Sequence, residues 1–367
     1  MEDVITRGTG SQEFALHDVC CAIGLPDAGY EKRAWERLDS LTKPPRSLGG
    51  LEAIAARMAA VQRIDRPTAA PAAITLFAGD HGVVAEGVSA WPSEVTRQMM
   101  GNFVAGGAAI NQIAGYVGAR LVLTDVGVAT DTSGLEGVVQ AKVRPGTRNM
   151  VVEPAMTREE AAAAMLVGVE TARRLAREGV KVICTGEMGI GNTTSASALT
   201  AAYTGVPVSR VIGPGTGMDD AGLARKAAVV KRAILLHQPG RLDPLGTLAA
   251  LGGFEIAAMA GVFLGCAAER VCGVVDGFIS ASAALVAARL CPDSLASLFG
   301  SHISEEPGHS VALVPLELDP FLRLRMRLGE GTGAALAIPV MGAACAVLNG
   351  MATFDEAGVV ARVEDDR

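Results

Sequence analysis

The sequence predicts an α/β fold: a doubly wound, mostly parallel, Rossmann-like sheet with a smaller helical domain built from the chain ends. Three observations predict it. Short apolar runs at 73–78, 120–126, 180–184 and 272–275 alternate with long helical patterns, the rhythm of strand–helix–strand crossovers. Glycine-rich turns follow several of these runs. Hydrophobic residues make up 50% of the chain but aromatic residues only 4%, so alanine, glycine, valine and leucine must pack helices closely on a buried sheet.

At 367 residues the chain exceeds one ordinary core. The expected division is a disordered tail at 1–12, a small helical domain from 13–65 and 340–367, and a large α/β catalytic domain at 66–339. A net charge of -7 without a long basic run argues against nucleic acid as a partner. The seven cysteines lack metal-ligand spacing and read as reduced thiols of a cytoplasmic protein. Met1-Glu2-Asp3 opens no basic, apolar leader, so no signal peptide is expected. The apolar stretches 245–266 and 332–348 carry Glu255 and Pro339 and favour small residues, so they read as buried helices and not as membrane spans.

Residues 13–42 show helical spacing of apolar positions. Lys43-Pro44-Pro45-Arg46-Ser47-Leu48-Gly49-Gly50 interrupts it as a rigid turn, and a second helix runs to about Gln62. The strand at 73–78 ends in Gly79-Asp80-His81, where ligands of open α/β sheets gather, although an Asp-His pair can equally lock a loop. Ser93 is a candidate N-cap, and the helix after it presents Gln98 and Met99, suited to a flat apolar ligand. A long amphipathic helix at 158–178 leads into the strand at 180–184.

The central motif is Gly186-Glu187-Met188-Gly189-Ile190-Gly191-Asn192-Thr193-Thr194, between that strand and an Ala-rich helix. A strand turning through glycines into a helix brings bare N–H groups to a helix N-terminus, an anion site above all for phosphate, or else a tight turn with no ligand. Residues 207–211 read as a further strand before a second glycine turn, Gly213 to Gly217 with Thr216, and a helix carrying Lys226. Lys226 either neutralises a phosphate or is a solvated helix cation. Asp276 follows the strand at 272–275, and 310–314 reads as the last strand, after His302, Ser304 and His309. Glu330 stands between Gly329 and Gly331 before an apolar helix. Partial desolvation there would raise its pKa towards that of a general base, or it caps the helix.

Taken together, the segments 43–52, 78–99, 186–194, 213–226, 251–255, 276–281 and 328–335 resemble the nicotinate-nucleotide–dimethylbenzimidazole phosphoribosyltransferase family in order and joint presence. They span nearly the whole chain; one departure is Arg46, where the family usually has glycine. The resemblance implies transfer of phosphoribose from nicotinate mononucleotide to 5,6-dimethylbenzimidazole, giving α-ribazole 5′-phosphate and nicotinate. It implies Glu330 as general base with Glu187 assisting. Gly186, Gly189, Gly191, Asn192, Thr193, Gly215, Thr216, Gly217, Lys226 and Asp276 would hold phosphate and ribose. Gln98, Met99, Ser304 and Leu328 would line the base pocket, and Asp80 and His81 would shape the loop. It implies a homodimer with no metal, no cofactor and no membrane or nucleic-acid partner.

Two other classes compete. A nicotinamide-dinucleotide dehydrogenase would need an acidic residue at the next strand end about 20 residues after the glycines, and residues 210–213 carry none. A catalytically silent nucleotide binder would have no use for an intact Glu330. Within the family, an adenine or phenolic acceptor remains open.

Overall fold

The computed structural model describes residues 11–360 except 214, 216, 241 and 242. In chain order the elements are α1 (Ser11–Ala22), α2 (Ala28–Ser40), α3 (Gly50–Gln62), β1 (Ala72–Gly79), α4 (Glu94–Val104), α5 (Ala109–Val117), β2 (Arg120–Gly127) and β3 (Val138–Gln140). They continue with α6 (Arg158–Arg177), β4 (Val182–Met188), α7 (Asn192–Thr204), α8 (Asp220–His237), α9 (Pro244–Leu251), α10 (Phe254–Glu269) and β5 (Cys272–Val275). The last are α11 (Phe278–Leu290), β6 (Leu298–Gly300), α12 (Pro307–Leu316), α13 (Thr332–Gly350) and α14 (Phe354–Ala357).

The six strands form one sheet in the order β3-β2-β1-β4-β5-β6, and every neighbouring pair is parallel. Helices cover both faces, which is why all eight residues of β1 are buried. Alternate side chains feed different cores. Ala73 and Phe77 of β1 and Ile183 of β4 meet α6, α7, α10 and α11 on one face. Ile74, Leu76 and Ala78 of β1, with Val182 and Cys184 of β4, meet α3, α5 and α13 on the other. The chain-end helices α2, α3 and α13 pack on one another, and their core continues into the sheet. Helix α1 lies apart from them, on α6 and α10. Thr332–Gly350 is long and apolar enough to cross a bilayer by length and composition, and here it packs on α3, α5 and β4.

Several sequence expectations are corrected. Of the tail, 1–10 lies outside the described residues, whereas Ser11 and Gln12 open α1. The continuous helix expected at 13–42 breaks at 23–27, where Asp27 caps α2 by accepting from Gly29 N at 2.8 Å. Ser93 makes no side-chain cap on α4. Residues 208–210 form a 3₁₀ turn in place of a strand. The apolar run 310–314 lies inside α12, started by Pro307, and the last strand is β6 upstream. A short apolar run does not by itself distinguish strand from helix, whereas Pro at a first helical position does favour helix. The central strand runs on to Met188, so Gly186 and Glu187 are strand residues. The boundary expected at 340 falls within α13.

Candidate active site

The C-terminal ends of β1, β4 and β5 converge where the strand order reverses, the position at which open α/β sheets form a crevice. Phe77 of β1 pairs with Glu187 of β4, and just beyond β5 comes Asp276. The loop before α13 brings Glu330 to the same ends. Its close approach is possible because Gly186 has no side chain: a Cβ there would lie 2.5 Å from the Glu330 carbonyl oxygen. Glu330 itself is left-handed (φ 62°) between Gly329 (φ 85°) and Gly331 (φ 82°), a conformation a non-glycine residue adopts at a cost.

Three carboxylates are buried here. Glu330 is 6% exposed, and its Oε2 has no partner among the described residues. Burial raises its pKa, the charge of Asp276 adds to this, and the Ile110 backbone N–H opposes it. Glu187 Oε2 accepts from the Asn192 side-chain amide, and its Oε1 lies against Gly329. Its pKa is pushed up to about 8, first by burial and then by the charges of Glu255 and Asp276. Asp276 Oδ1 accepts from Ala334 N at 2.8 Å at the start of α13. Burial raises its pKa; His302, 4.0 Å away, and backbone N–H groups oppose the rise.

Beside them, Gly189, Gly191, Asn192, Thr193, Gly215 and Lys226 line one cleft together with Val88, Ser89, Ile190 and Met218. Gly191 is the N-cap of α7 and supplies no side-chain acceptor. Asn192 N donates to Gly189 O at 3.1 Å and Thr194 N to Gly191 O at 3.0 Å, which leaves the N–H of Thr193, a residue lining the cleft, without a partner among the described residues. Asn192 serves Glu187 instead of capping. Lys226 reaches in from α8: its Nζ donates to Thr193 Oγ1 at 2.8 Å and to Gly213 O at 3.3 Å. The side chain is fully buried, and this lowers its pKa to about 8 against the charge of Glu306. It is therefore not a solvated helix cation. Gly217 is exposed in the same loop, and Thr216 lies outside the described residues. Gly186 is not in this cleft, being held in β4 against Glu330.

Of the four residues expected at the base pocket, Ser304 is buried beside Gly277, Met99 is half-buried, and Gln98 and Leu328 are exposed. His81 does more than shape its loop. Its Nδ1 lies 3.0 Å from Ser195 Oγ on α7, and its Nε2 lies 2.6 Å from Glu255 Oε1 on α10. Asp80 Oδ2 accepts from Ala129 N at 2.8 Å. Glu255, Ser195, His302 and Glu306 were not expected as site residues. The sequence signal for Glu255 was a carboxylate at the opening of an otherwise apolar helix, which is informative only once His81 is known to face it. A larger surface cavity at the N-terminus of α6, lined by Arg148, Glu153 and Arg158, includes none of these groups.

The geometry therefore combines a cleft lined by a helix N-terminus and a buried lysine with buried carboxylates at a sheet switch point. A family model described as phosphoribosyltransferase matches residues 23–359. The nicotinate-nucleotide–dimethylbenzimidazole phosphoribosyltransferase of Desulforamulus reducens is 50% identical over 345 residues, covering 94% of this chain and 98% of its own. This chain belongs to the nicotinate-nucleotide–dimethylbenzimidazole phosphoribosyltransferase family. The family member from Pseudomonas putida is 50% identical over 330 residues, covering 90% of this chain and 94% of its own. A crystal structure of CobT from Thermus thermophilus superposes with a TM-score of 0.88 at 48% identity, covering 91% of this chain and all of that one. The family resemblance noted in the sequence motifs is thus borne out, as is the doubly wound sheet.

Proposed function

We propose that this enzyme transfers the 5-phosphoribosyl group of nicotinate mononucleotide to 5,6-dimethylbenzimidazole, with inversion at C1′. The observation that carries the proposal is Glu330: a buried carboxylate with one unpartnered oxygen, one glycine away from Glu187, at the strand ends that also adjoin the lysine cleft. The pyridinium nitrogen of the donor already carries positive charge, so nicotinate leaves with the C1′–N bond pair as a neutral ring nitrogen. Oxocarbenium character develops at C1′, as in glycoside transfer. A benzimidazole nitrogen bonds to C1′ from the opposite face, and the proton of its other nitrogen passes to Glu330. Glu187, with its pKa near 8, is protonated at neutral pH and can donate to the substrate. Lys226 and the N-terminus of α7, through the Thr193 N–H, hold the 5′-phosphate. Ser304 and Met99 contact the acceptor ring. The family resemblance also carries a cytoplasmic homodimer, which sedimentation of the purified chain tests.

Nicotinate release from nicotinate mononucleotide, with and without 5,6-dimethylbenzimidazole, tests the reaction. Base-dependent release that falls by on the order of a hundredfold in Glu330→Gln supports it. Release with no acceptor tested, in folded protein that binds the nucleotide, would leave hydrolysis; no release at all would leave a silent binder. Unchanged turnover in the variant would keep the reaction and remove Glu330 as its base.

A further inference from the structure

Among the described residues, no group answers the carboxylate of Glu306. The residue is 5% exposed, and neither Oε1 nor Oε2 has a partner among the described residues. It stands at the N-cap of α12, where an acidic side chain ordinarily accepts from its own helix, yet it makes no side-chain cap. The side chain turns instead towards Gly213: a Cβ on that glycine would collide with Oε2. Lys226 approaches the same residue and bonds the Gly213 carbonyl, but gives its other bond to Thr193 and none to Glu306. Lys226, which lines the nucleotide cleft, and an anion without a partner among the described residues thus flank Gly213, two positions before the cleft-lining Gly215.

Buried carboxylates are retained where donors complete them, because an unsatisfied charged group in a dry site is costly. The donors required here are uncharged hydroxyls, because a phosphate would be repelled and the cation is already engaged. The two oxygens of one carboxylate match the paired hydroxyls of a vicinal cis-diol. We propose that Glu306 accepts from the 2′- and 3′-hydroxyls of the nucleotide donor and makes the enzyme select ribose over deoxyribose. The proposal rests on the nucleotide-transfer reading above.

The test is kcat/KM for nicotinate mononucleotide against its 2′-deoxy and 3′-deoxy analogues, in wild type, Glu306→Gln and Glu306→Asp. A site built around a hydroxyl rejects the analogue lacking it, so wild type should prefer the ribose donor by on the order of a hundredfold or more. Glu306→Gln should narrow that preference at least tenfold, chiefly through KM, and Glu306→Asp should fall between. Equal use of ribose and deoxyribose donors by wild type would overturn the proposal. So would a variant that loses the same factor on every donor, since that is what damage to the fold alone would do. If Glu306→Gln does not fold, the comparison rests on Glu306→Asp. If wild type transfers nothing from nicotinate mononucleotide, the transfer reading fails separately. The same donors are then compared by calorimetric binding to wild type and Glu306→Gln, where equal affinities for ribose and deoxyribose forms overturn the role of Glu306.

Discussion

Gly186 and Glu330 meet backbone to backbone: a methyl group on Gly186 would lie 2.5 Å from the Glu330 carbonyl oxygen and 2.7 Å from its carbonyl carbon. This contact joins the middle of the sheet to the loop that carries Glu330, the proposed base. A glycine in a central strand ordinarily weakens it, and here it admits a second backbone.

Gly186→Ala should therefore act on catalysis without touching a reacting group. The added carbon must push the Glu330 loop away from β4. A displacement of about 1 Å at a catalytic group costs on the order of a hundredfold in rate, and the overpacking costs about 1–3 kcal/mol of stability. Turnover and thermal unfolding measured together check this. A variant with full kcat would mean that the loop has another rest position.

If Lys226 holds the 5′-phosphate as proposed, nucleotide binding should have a basic limb. Burial lowers its pKa to about 8, below the ordinary lysine value. A bound phosphate stabilises the charged form and raises that pKa again, so binding requires the proton. Affinity for nicotinate mononucleotide should be full below pH 8 and weaken as pH rises through 8, approaching tenfold per unit beyond it. Calorimetric titration across pH 6–10 reads the limb. Lys226→Met should bind more weakly at neutral pH and lose this lysine-dependent slope.

The pair His81–Glu255 is closed to solvent on both side chains, with 2.6 Å between Nε2 and Oε1. The charge of Glu255 is the largest contribution after burial to the raised pKa of Glu187. Glu255→Gln should then lower the Glu187 pKa and displace the pH profile of kcat/KM towards acid. Removing one partner of a buried pair should also cost about 3–5 kcal/mol of stability. Damage to the fold alone would lower the profile without moving it, so the shift along the pH axis is the decisive reading.

How far the sequence was legible follows the range of the interactions. The strands at 73–78, 120–126 and 272–275 announced themselves through local apolar runs, and so did the helices α6 and α8. Glu330 and Lys226 were visible because each sits in a local pattern, a carboxylate between glycines and a cation after a glycine turn. The residues that escaped are joined across the chain: Ser195 and Glu255 meet at His81 over 114 and 174 positions. Strands β3 and β6 have three residues each, too few for periodicity to register.

Arg46 is the clearest conflict between local preference and context. It occupies a left-handed position (φ 61°) in the turn between α2 and α3, where glycine is at ease. Its guanidinium lies 3.7 Å from the centre of the Trp35 ring and 2.9 Å from Asp39 Oδ2. The strain costs about 1 kcal/mol. The ring contact returns about 0.5–1 kcal/mol, and the half-exposed ion pair adds about 0.2–1 kcal/mol. Arg46→Gly loses strain and contacts together, so its stability should stay within about 1 kcal/mol of wild type. Arg46→Ala keeps the left-handed backbone and loses the contacts, so it should be the less stable of the two. Urea unfolding of the three proteins gives the order, and both variants should turn over at the wild-type rate because the side chain of Arg46 engages Trp35 and Asp39 and none of the site carboxylates. If Arg46→Ala proved as stable as Arg46→Gly, the stacked ring and Asp39 would not be what holds arginine in a glycine position.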